Sequence, residues 1–112
     1  MYVDGVPSGS PDSISAMNTG TVNMAIGGIW NDLGTTVNAG LWNGKISNVS
    51  IFNQALTSTQ VMKLYSNGMP QDLSTFTPAP VAWYTLGSNS FFNGSNFICK
   101  DLIGSNDGIP FE

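Results

Sequence analysis

The chain has 112 residues, enough for one small domain, and a formal net charge of −4 with only three basic residues. This acidic balance argues against nucleic acid as a partner, because nucleic-acid binding needs a basic surface. The sequence contains no His and Cys99 is its single cysteine, which excludes an intrachain disulfide and a Cys/His metal site. No apolar run approaches the length of a membrane span, so no membrane partner is expected.

The first predicted element is a β-hairpin. Tyr2-Val3 has strand character, Asp4-Gly5 is a hairpin-turn pair, and the chain resumes an extended course at Val6-Pro7. After a Ser/Pro/Gly loop, Thr21–Gly27 alternates as a second strand. Residues 29–40 contain several Gly and Thr residues and are predicted as a loop.

A strand then precedes a short helix. Lys45–Phe52 is predicted as the strand, with a bulge near Ser47-Asn48 where the apolar alternation shifts. Thr57 and Gln60 form a T-x-x-Q capping box, which predicts a helix between about residues 58 and 67. Gly68 is placed where a left-handed helix cap is expected.

The composition changes after this helix. Residues 69–80 contain three prolines and are predicted as a linker or extended arm. Val81–Leu86 alternates as a strand. Ser88–Asn96 is predicted as a polar loop, and Phe97–Cys99 as a short strand.

The segment from residue 42 to 65 resembles the closing part of a laminin-G-like, concanavalin A-like jelly-roll domain. The family pattern is an aromatic residue, Asn, Gly, Lys and Ile, an alternating strand, and then Asn-x-x-Leu-(Ser/Thr)-x-x-(Glu/Gln)-x-x-x-Leu-Tyr. It is matched by Trp42, Asn43, Gly44, Lys45, Ile46, Asn53, Leu56, Thr57, Gln60, Leu64 and Tyr65. The chain departs from the pattern at Ser47 and Asn48, where family members often carry acidic residues. The resemblance implies an all-β fold, an antiparallel β-sandwich of the jelly-roll type with one short helix.

Other segments are similar to further parts of the same family. Tyr2–Gly5 resembles a hairpin in mid-domain, and Ile26–Gly28 resembles the end of a strand before a variable loop. Val81–Leu86 resembles an opening strand. Asp101–Gly108 is similar to the family's Asp-x-Ser-Gly-Asn-x-x-Asp-Gly loop, shortened by a residue.

These resemblances imply a division into parts of two domains. Residues 1–68 correspond to the C-terminal half of one jelly roll, residues 69–80 to the linker or arm, and residues 81–112 to the N-terminal strands of a following or permuted domain. Arrays of such domains occur in surface and virion proteins. The Asn- and Gly-rich composition resembles structural proteins of marine bacteriophages, which implies an extracellular or virion-surface location.

Catalysis is not expected from this sequence. Glycoside hydrolysis needs two carboxylates across the scissile bond, whereas Glu112 is the single Glu and no acids have the Glu-x-Asp-x-Glu spacing of related glucanases. Without His, a Ser-His or Cys-His nucleophile is also excluded. We therefore expect a protein that is not an enzyme.

The predicted carbohydrate-binding residues are Trp30, Asn31 and Asp32, which lie together in a Gly-bounded loop. Sugars stack on exposed aromatic faces that also offer a polar edge. The alternative is that Trp30 folds back and covers the sandwich. The family resemblance implies that Trp42 and Trp83 point into the core.

Asp101, Asn106 and Asp107 are the predicted metal ligands, because they share one Gly-containing loop. Hard oxygen ligands suit calcium, and many members of the family that the chain resembles bind Ca²⁺ at sandwich rims. Calcium is therefore the one cofactor considered. The alternative is ordinary turn chemistry, in which Asp and Asn bond to the backbone.

Two functions from different classes follow. The first is a non-catalytic carbohydrate-binding or adhesion module, whose partner is a glycan or host-surface polysaccharide. The second is a purely structural or assembly module of a virion protein, with no small ligand.

Half of a jelly roll would leave unpaired strand edges and an apolar sheet face. In the family that the chain resembles, the opening strand lies beside the closing strand. The resemblance therefore implies that Val81–Leu86 pairs antiparallel with Lys45–Phe52, as in a circular permutant, within one chain or swapped between two. The arm between them spans up to about 36–43 Å when extended. The remaining edge is expected to be buried by self-association, as a homodimer or a strand swap.

Overall fold

A computed structural model describes residues 1–10, 23–30 and 37–110 of the protein. The chain divides into two compact units, one formed by residues 1–12 and 47–110 and the other by residues 13–46 and 111–112. Within the described ranges the regular structure consists of short antiparallel strands and one short α-helix. The predicted β-rich class with a single short helix is confirmed at this level. None of the helical residues described forms a helix long and apolar enough to cross a membrane.

The strands make separate two-stranded sheets. The strands are β1 (Tyr2–Val3), β2 (Val6–Pro7), β3 (Ile29–Trp30), β4 (Val37–Ala39), β5 (Val49–Ile51), β6 (Ala82–Tyr84), β7 (Phe91–Phe92) and β8 (Phe97–Ile98). The antiparallel pairs are β1–β2, β3–β4, β5–β6 and β7–β8. The helix α1 spans Ser58–Tyr65 and runs into a 3-10 turn at Ser66–Gly68.

The hairpin predicted at Asp4-Gly5 is confirmed. Val3 pairs with Val6, and the two turn residues have φ of 51° and 76°, which is the type I′ geometry that matches strand twist. Gly5 is also required by space, because a Cβ there would lie 2.8 Å from Cδ1 of Tyr65. The hairpin therefore packs its turn under the last residue of α1.

Helix α1 begins as predicted. The Thr57 hydroxyl accepts the Gln60 N–H at 3.3 Å, and Gln60 Oε1 accepts the Thr57 N–H at 2.8 Å, so the capping box is complete. The α-helix ends two residues before the predicted Asn67, because Ser66 takes a left-handed conformation with φ 42°. Asn67 and Gly68 also have positive φ, so the cap expected at Gly68 is supplied earlier.

The predicted pairing of the two central strands is confirmed within one chain. The register is antiparallel: Val49 faces Tyr84, Ser50 faces Trp83 and Ile51 faces Ala82. The ladder is shorter than the predicted strands, because Asn48 has φ 52° and breaks the extended backbone. The irregularity predicted near Ser47-Asn48 thus lies at the start of β5.

The core of the first unit lies on one face of β6. Its buried members are Leu73, Phe76 and Trp83, with Phe52, Leu64 and Leu102 packed against them. The rings of Phe52 and Phe76 meet edge to face with centroids 5.9 Å apart. Residues 69–80 therefore form an arm that supplies apolar side chains to the core.

The prediction of a polar loop over residues 88–96 is wrong where β7 forms. Asn93 Oδ1 accepts the N–H groups of Ser95 and Asn96, both at 2.9 Å. This Asx turn reverses the chain, so that Phe92 pairs with Phe97. A four-residue turn, Asn93–Asn96, and its flanking aromatics make a hairpin where composition alone indicated a loop.

The second unit also departs from prediction. No strand is formed over Asn23–Gly27, while Thr21 and Val22 lie outside the described residues. Gly27 has φ 83° and the chain bends there, which ends an extended course. The ladder of this unit is instead β3–β4, inside the predicted variable loop, with a register shift between Ile29 and Trp30.

Candidate functional site

A buried carboxylate organises the loop that follows β8. The Asp101 side chain is 1% exposed, and its two oxygens accept backbone N–H groups from four residues. The donors are Trp83 at 3.1 Å, Ile103 at 3.2 Å and Gly104 at 3.0 Å on Oδ1, and Asn106 at 3.3 Å on Oδ2. Since the Trp83 N–H belongs to β6, this carboxylate attaches the loop to the free edge of that strand.

The surroundings of Asp101 favour its charged form. Burial by itself raises the pKa of the Asp101 carboxyl, but the backbone N–H groups together outweigh it, and the pKa lies below its ordinary value of 3.8. A Cβ on Gly104 would lie 2.6 Å from Oδ2 and 3.0 Å from the Val81 carbonyl oxygen. Glycine at this position therefore allows the loop backbone to close around the carboxylate.

Asp107 closes the other side of the same loop. Its Oδ1 accepts the backbone N–H of Asp101 at 2.9 Å, and its Oδ2 pairs with Lys100 Nζ at 2.9 Å. The backbone bond from Asp101, followed by the bond from Lys100, lowers the pKa of Asp107. The ion pair is partly exposed, so we expect it to contribute little stability.

The third predicted ligand, Asn106, contributes backbone groups. Its carbonyl oxygen accepts the hydroxyl hydrogen of Tyr84 at 2.7 Å, while its N–H donates to Asp101. Burial raises the pKa of the Tyr84 phenol, and the nearby charges of Asp101 and Asp107 raise it further. Two side chains thus join the loop to β6: Asp101 of the loop accepts the Trp83 N–H, and Tyr84 of β6 donates to the Asn106 carbonyl oxygen.

The structure brings Asp101, Asn106 and Asp107 together in one loop, as predicted. In the ranges that the structure covers, no group of three or more His, Cys, Asp or Glu side chains is arranged to hold a metal ion. The hydrogen-bond partners of the two carboxylates in the structure are backbone N–H groups and the Lys100 ammonium. Calcium at this loop stays a prediction, and the turn alternative describes the contacts seen.

The predicted carbohydrate residues fall largely outside the described ranges. The backbone of Trp30 lies in β3, so this residue begins a hairpin. Asn31 and Asp32 lie outside the described residues. A sugar site at these three residues stays a prediction.

The two remaining tryptophans have different environments. Trp83 is 8% exposed and belongs to the core, as expected. Trp42 is 64% exposed, so its expected core position is wrong. Its indole lies against its own turn, since a Cβ on Gly44 would lie 2.8 Å from Trp42 Nε1.

A groove lies beside β5 and β6 in the first unit. Its volume is about 220 Å³, and it runs between the Ser50–Trp83 pair of the ladder and the end of α1 with the arm that follows. The polar lining residues are Ser47, Asn48, Ser50 and Gln71, and the apolar ones include Leu64 and Met69. Every described residue that lines it is uncharged.

One of the residues that line the groove, Trp83, carries an unpaired hydrogen-bond donor. Its Nε1 is buried and has no hydrogen-bond partner, alone among the buried side-chain nitrogens and oxygens of the described residues. An unpaired buried N–H costs about 1–3 kcal/mol. Such a group is a donor that lacks an acceptor.

The β7–β8 hairpin presents aromatic rings to solvent. Phe92 and Phe97 are 58% and 62% exposed, with ring centroids 5.5 Å apart and planes inclined by 52°. They pair across the ladder, so both rings lie on one face. We call this pair the aromatic face.

Comparison of the chain with protein-family models, with curated proteins and with solved structures gives no match.

Two features of the site were missed by sequence reasoning. The aromatic face had a signal, because Phe92 and Phe97 flank a short Asn/Gly/Ser turn of the kind that joins hairpin strands. The groove had none, since its walls come from residues 47–50, the end of α1, the arm and β6. Only the chain's tertiary course brings those segments together.

Proposed function

We propose that this chain is a non-catalytic carbohydrate-binding or adhesion module that acts outside a cell or on a virion surface. The observation that carries the proposal is the aromatic face of Phe92 and Phe97, two adjacent rings more than half exposed on a turn-closed hairpin. Exposed large apolar side chains held side by side are typical of binding surfaces.

The chemistry of the aromatic face suits a glycan or a host-surface polysaccharide. The rings offer flat apolar area, while Asn93 and Asn96 follow and precede them in the chain and keep their side chains exposed. A sugar presents the complementary pattern, with C–H groups on one face of the ring and hydroxyls at its edge. The low charge of the whole chain also fits a neutral ligand.

A concanavalin A-like β-sandwich of the jelly-roll type is proposed as the architecture to which these segments belong. Its support is the capped helix after the β5 strand and the antiparallel β5–β6 pair, both expected from the resemblance. The proposal is tested by an experimental structure of the chain, alone or as an oligomer.

A glycan array probed with the labelled chain tests the function. We expect binding to at least one class of neutral glycan, and a loss of about tenfold in affinity when Phe92→Ala or Phe97→Ala removes one stacking ring. Phe91→Ala is the matched control, because Phe91 precedes Phe92 in the strand and so lies on the opposite face of the hairpin. Absence of glycan binding with and without calcium contradicts the proposal.

Trp30→Ala belongs in the same series. If binding depends on Trp30 and is unchanged by Phe92→Ala, the ligand is held at the loop predicted from sequence and the aromatic face is excluded.

The second candidate function is assembly without a small ligand. It is favoured by the β1–β2 hairpin, where Val3 and Val6 face each other across the strands and are each more than half exposed. Apolar side chains on a short two-stranded ribbon favour burial against another surface. Size-exclusion chromatography with light scattering distinguishes this function: a dimer disrupted by Val6→Lys supports it, and a monomer at micromolar concentration contradicts it.

A further inference from the structure

The indole N–H of Trp83 is the starting observation. The residue is 8% exposed and its Nε1 has no acceptor, although the backbone of the same residue is fully used. Its N–H donates to Asp101 and its carbonyl oxygen accepts the Leu102 N–H at 2.9 Å. The backbone bonds fix the direction in which the side chain leaves β6, and packing with Leu73 and Phe76 restricts rotation of the indole.

The groove beside this indole has the chemistry of a neutral polar ligand site. Ser50 lies opposite Trp83 in the ladder, and Asn48 and Gln71 add side chains that both donate and accept hydrogen bonds. Leu64 and Met69 supply apolar surface on the other walls. A charged ligand would find no counter-charge among the described lining residues.

The volume of the groove fits one small ring. About 220 Å³ corresponds to roughly seven water molecules at the density of the liquid. This space is smaller than most drug-sized pockets. One pyranose ring, with hydroxyls on its edge and C–H groups on its faces, matches both the size and the mixed lining.

We infer that the groove between β5–β6 and the arm binds a single neutral sugar residue, with a hydroxyl or ring oxygen accepting the Trp83 Nε1–H. The inference rests on the proposed carbohydrate function and locates a second contact for it, separate from the aromatic face. Ser50 and Gln71 bond to other hydroxyls of the sugar. Since Nε1 is closed to solvent in this conformation, the ligand reaches it by displacing a lining side chain.

Nuclear magnetic resonance of the indole N–H groups tests the inference directly. The chain has three tryptophans, so Trp30→Phe and Trp42→Phe assign the Trp83 signal by elimination. The probes are the methyl glycosides of glucose, galactose, mannose and N-acetylglucosamine. We expect at least one to move the Trp83 signal in a saturable way at millimolar concentration.

Matched serine variants then locate the ligand. Ser50→Ala should weaken the affinity about fivefold by removing a hydrogen bond, whereas Ser58→Ala, the same change on the exposed start of α1, should leave it unchanged. Gln71→Ala is the second groove variant, in case Ser50→Ala disturbs the ladder. Phe92→Ala should not alter the shift of the Trp83 signal.

The outcomes separate the two proposals. A saturable Trp83 shift that is weakened by the groove variants supports the inference. Shifts confined to the β7–β8 hairpin overturn the groove and keep the carbohydrate function. If no signal shifts, the groove proposal is overturned; this outcome includes a Trp83 N–H that bonds only to a water that the probes do not displace. If the glycan array is negative as well, the carbohydrate function itself is overturned.

Discussion

The strand pairs β5–β6 and β7–β8 have similar ladders and opposite surroundings. Each is a short antiparallel pair in simple register. All residues of β6 are buried, whereas both residues of β7 are exposed. The ladders do not account for this difference in burial, because they are alike. A two-stranded ribbon also has little stability in water by itself.

The neighbours of the two pairs account for it. Strand β6 has β5 on one edge, the Asp101 loop on the other and the Leu73–Phe76 segment against its face. The β7–β8 hairpin is closed by its own Asx turn and leaves the aromatic face uncovered. The first pair is thus part of the core, and the second keeps its aromatic face exposed, where binding is proposed. Matched variants in the two regions test this division.

The largest effect is expected from removing an aromatic ring in the core. Phe76→Ala deletes a buried ring that meets Phe52, and we expect the free energy of unfolding to fall by about 3–4 kcal/mol. Urea denaturation monitored by tryptophan fluorescence measures it. A loss below about 1 kcal/mol would mean that the arm does not pack on β6 as described.

Asp101→Asn should follow closely, with a loss of about 3 kcal/mol. An amide keeps one acceptor oxygen but turns an NH₂ group toward one set of backbone donors, so buried N–H groups lose their partner. Asp107→Asn is the control, because it keeps an oxygen for the Asp101 N–H and removes only the partly exposed ion pair, worth less than about 1 kcal/mol. Equal effects of the two variants would show that burial does not distinguish the carboxylates.

Acid should weaken the same network. Because the folded-state pKa of Asp101 is lowered from 3.8, its contribution to stability is present above that value and is lost as the pH falls through the lower folded-state pKa. Denaturation midpoints measured from pH 6 downward should therefore decrease below about pH 4. Asp101→Asn should show a shallower decrease; an unchanged slope in that variant would assign the acid sensitivity to other carboxyls.

An intermediate effect is expected at the helix cap. Thr57→Ala removes the oxygen that accepts the Gln60 N–H and should cost about 1 kcal/mol. Thr59→Ala, inside the exposed first turn of α1, should be neutral or slightly stabilising because alanine favours helix. Identical thermal midpoints for Thr57→Ala and the parent protein would mean that the capping box does not stabilise α1.

The smallest stability effect belongs to the aromatic face. Phe92→Ala removes a cross-strand pair that is mostly exposed and should change the free energy of unfolding by only about 0.5 kcal/mol, while weakening glycan binding. Comparison with Phe76→Ala uses the same substitution in both regions. A large loss of stability in Phe92→Ala would show that the hairpin is a packing element after all.

The sequence by itself determined the local elements. The Asp4-Gly5 turn and the Thr57–Gln60 cap depend on residues within a few positions of each other, so their signals are complete in the sequence. The β5–β6 pairing was expected from the family resemblance, because the opening strand lies beside the closing strand in that family, and the structure has this pair. The positions of Trp30, Asn31 and Asp32 in a binding site, and self-association, stay predictions.

Only the tertiary structure decided which side chains are covered. The family resemblance implied that Trp42 and Trp83 both point into the core, yet Trp42 lies exposed against its own turn and Trp83 is buried. The roles of Asp101 and of the Trp83 indole depend on segments distant in the chain: a loop of residues 101–106 that reaches β6, and an arm that passes beside it. Burial and hydrogen bonding across such separations result from the packing of the whole unit, and for that reason no local pattern contains them.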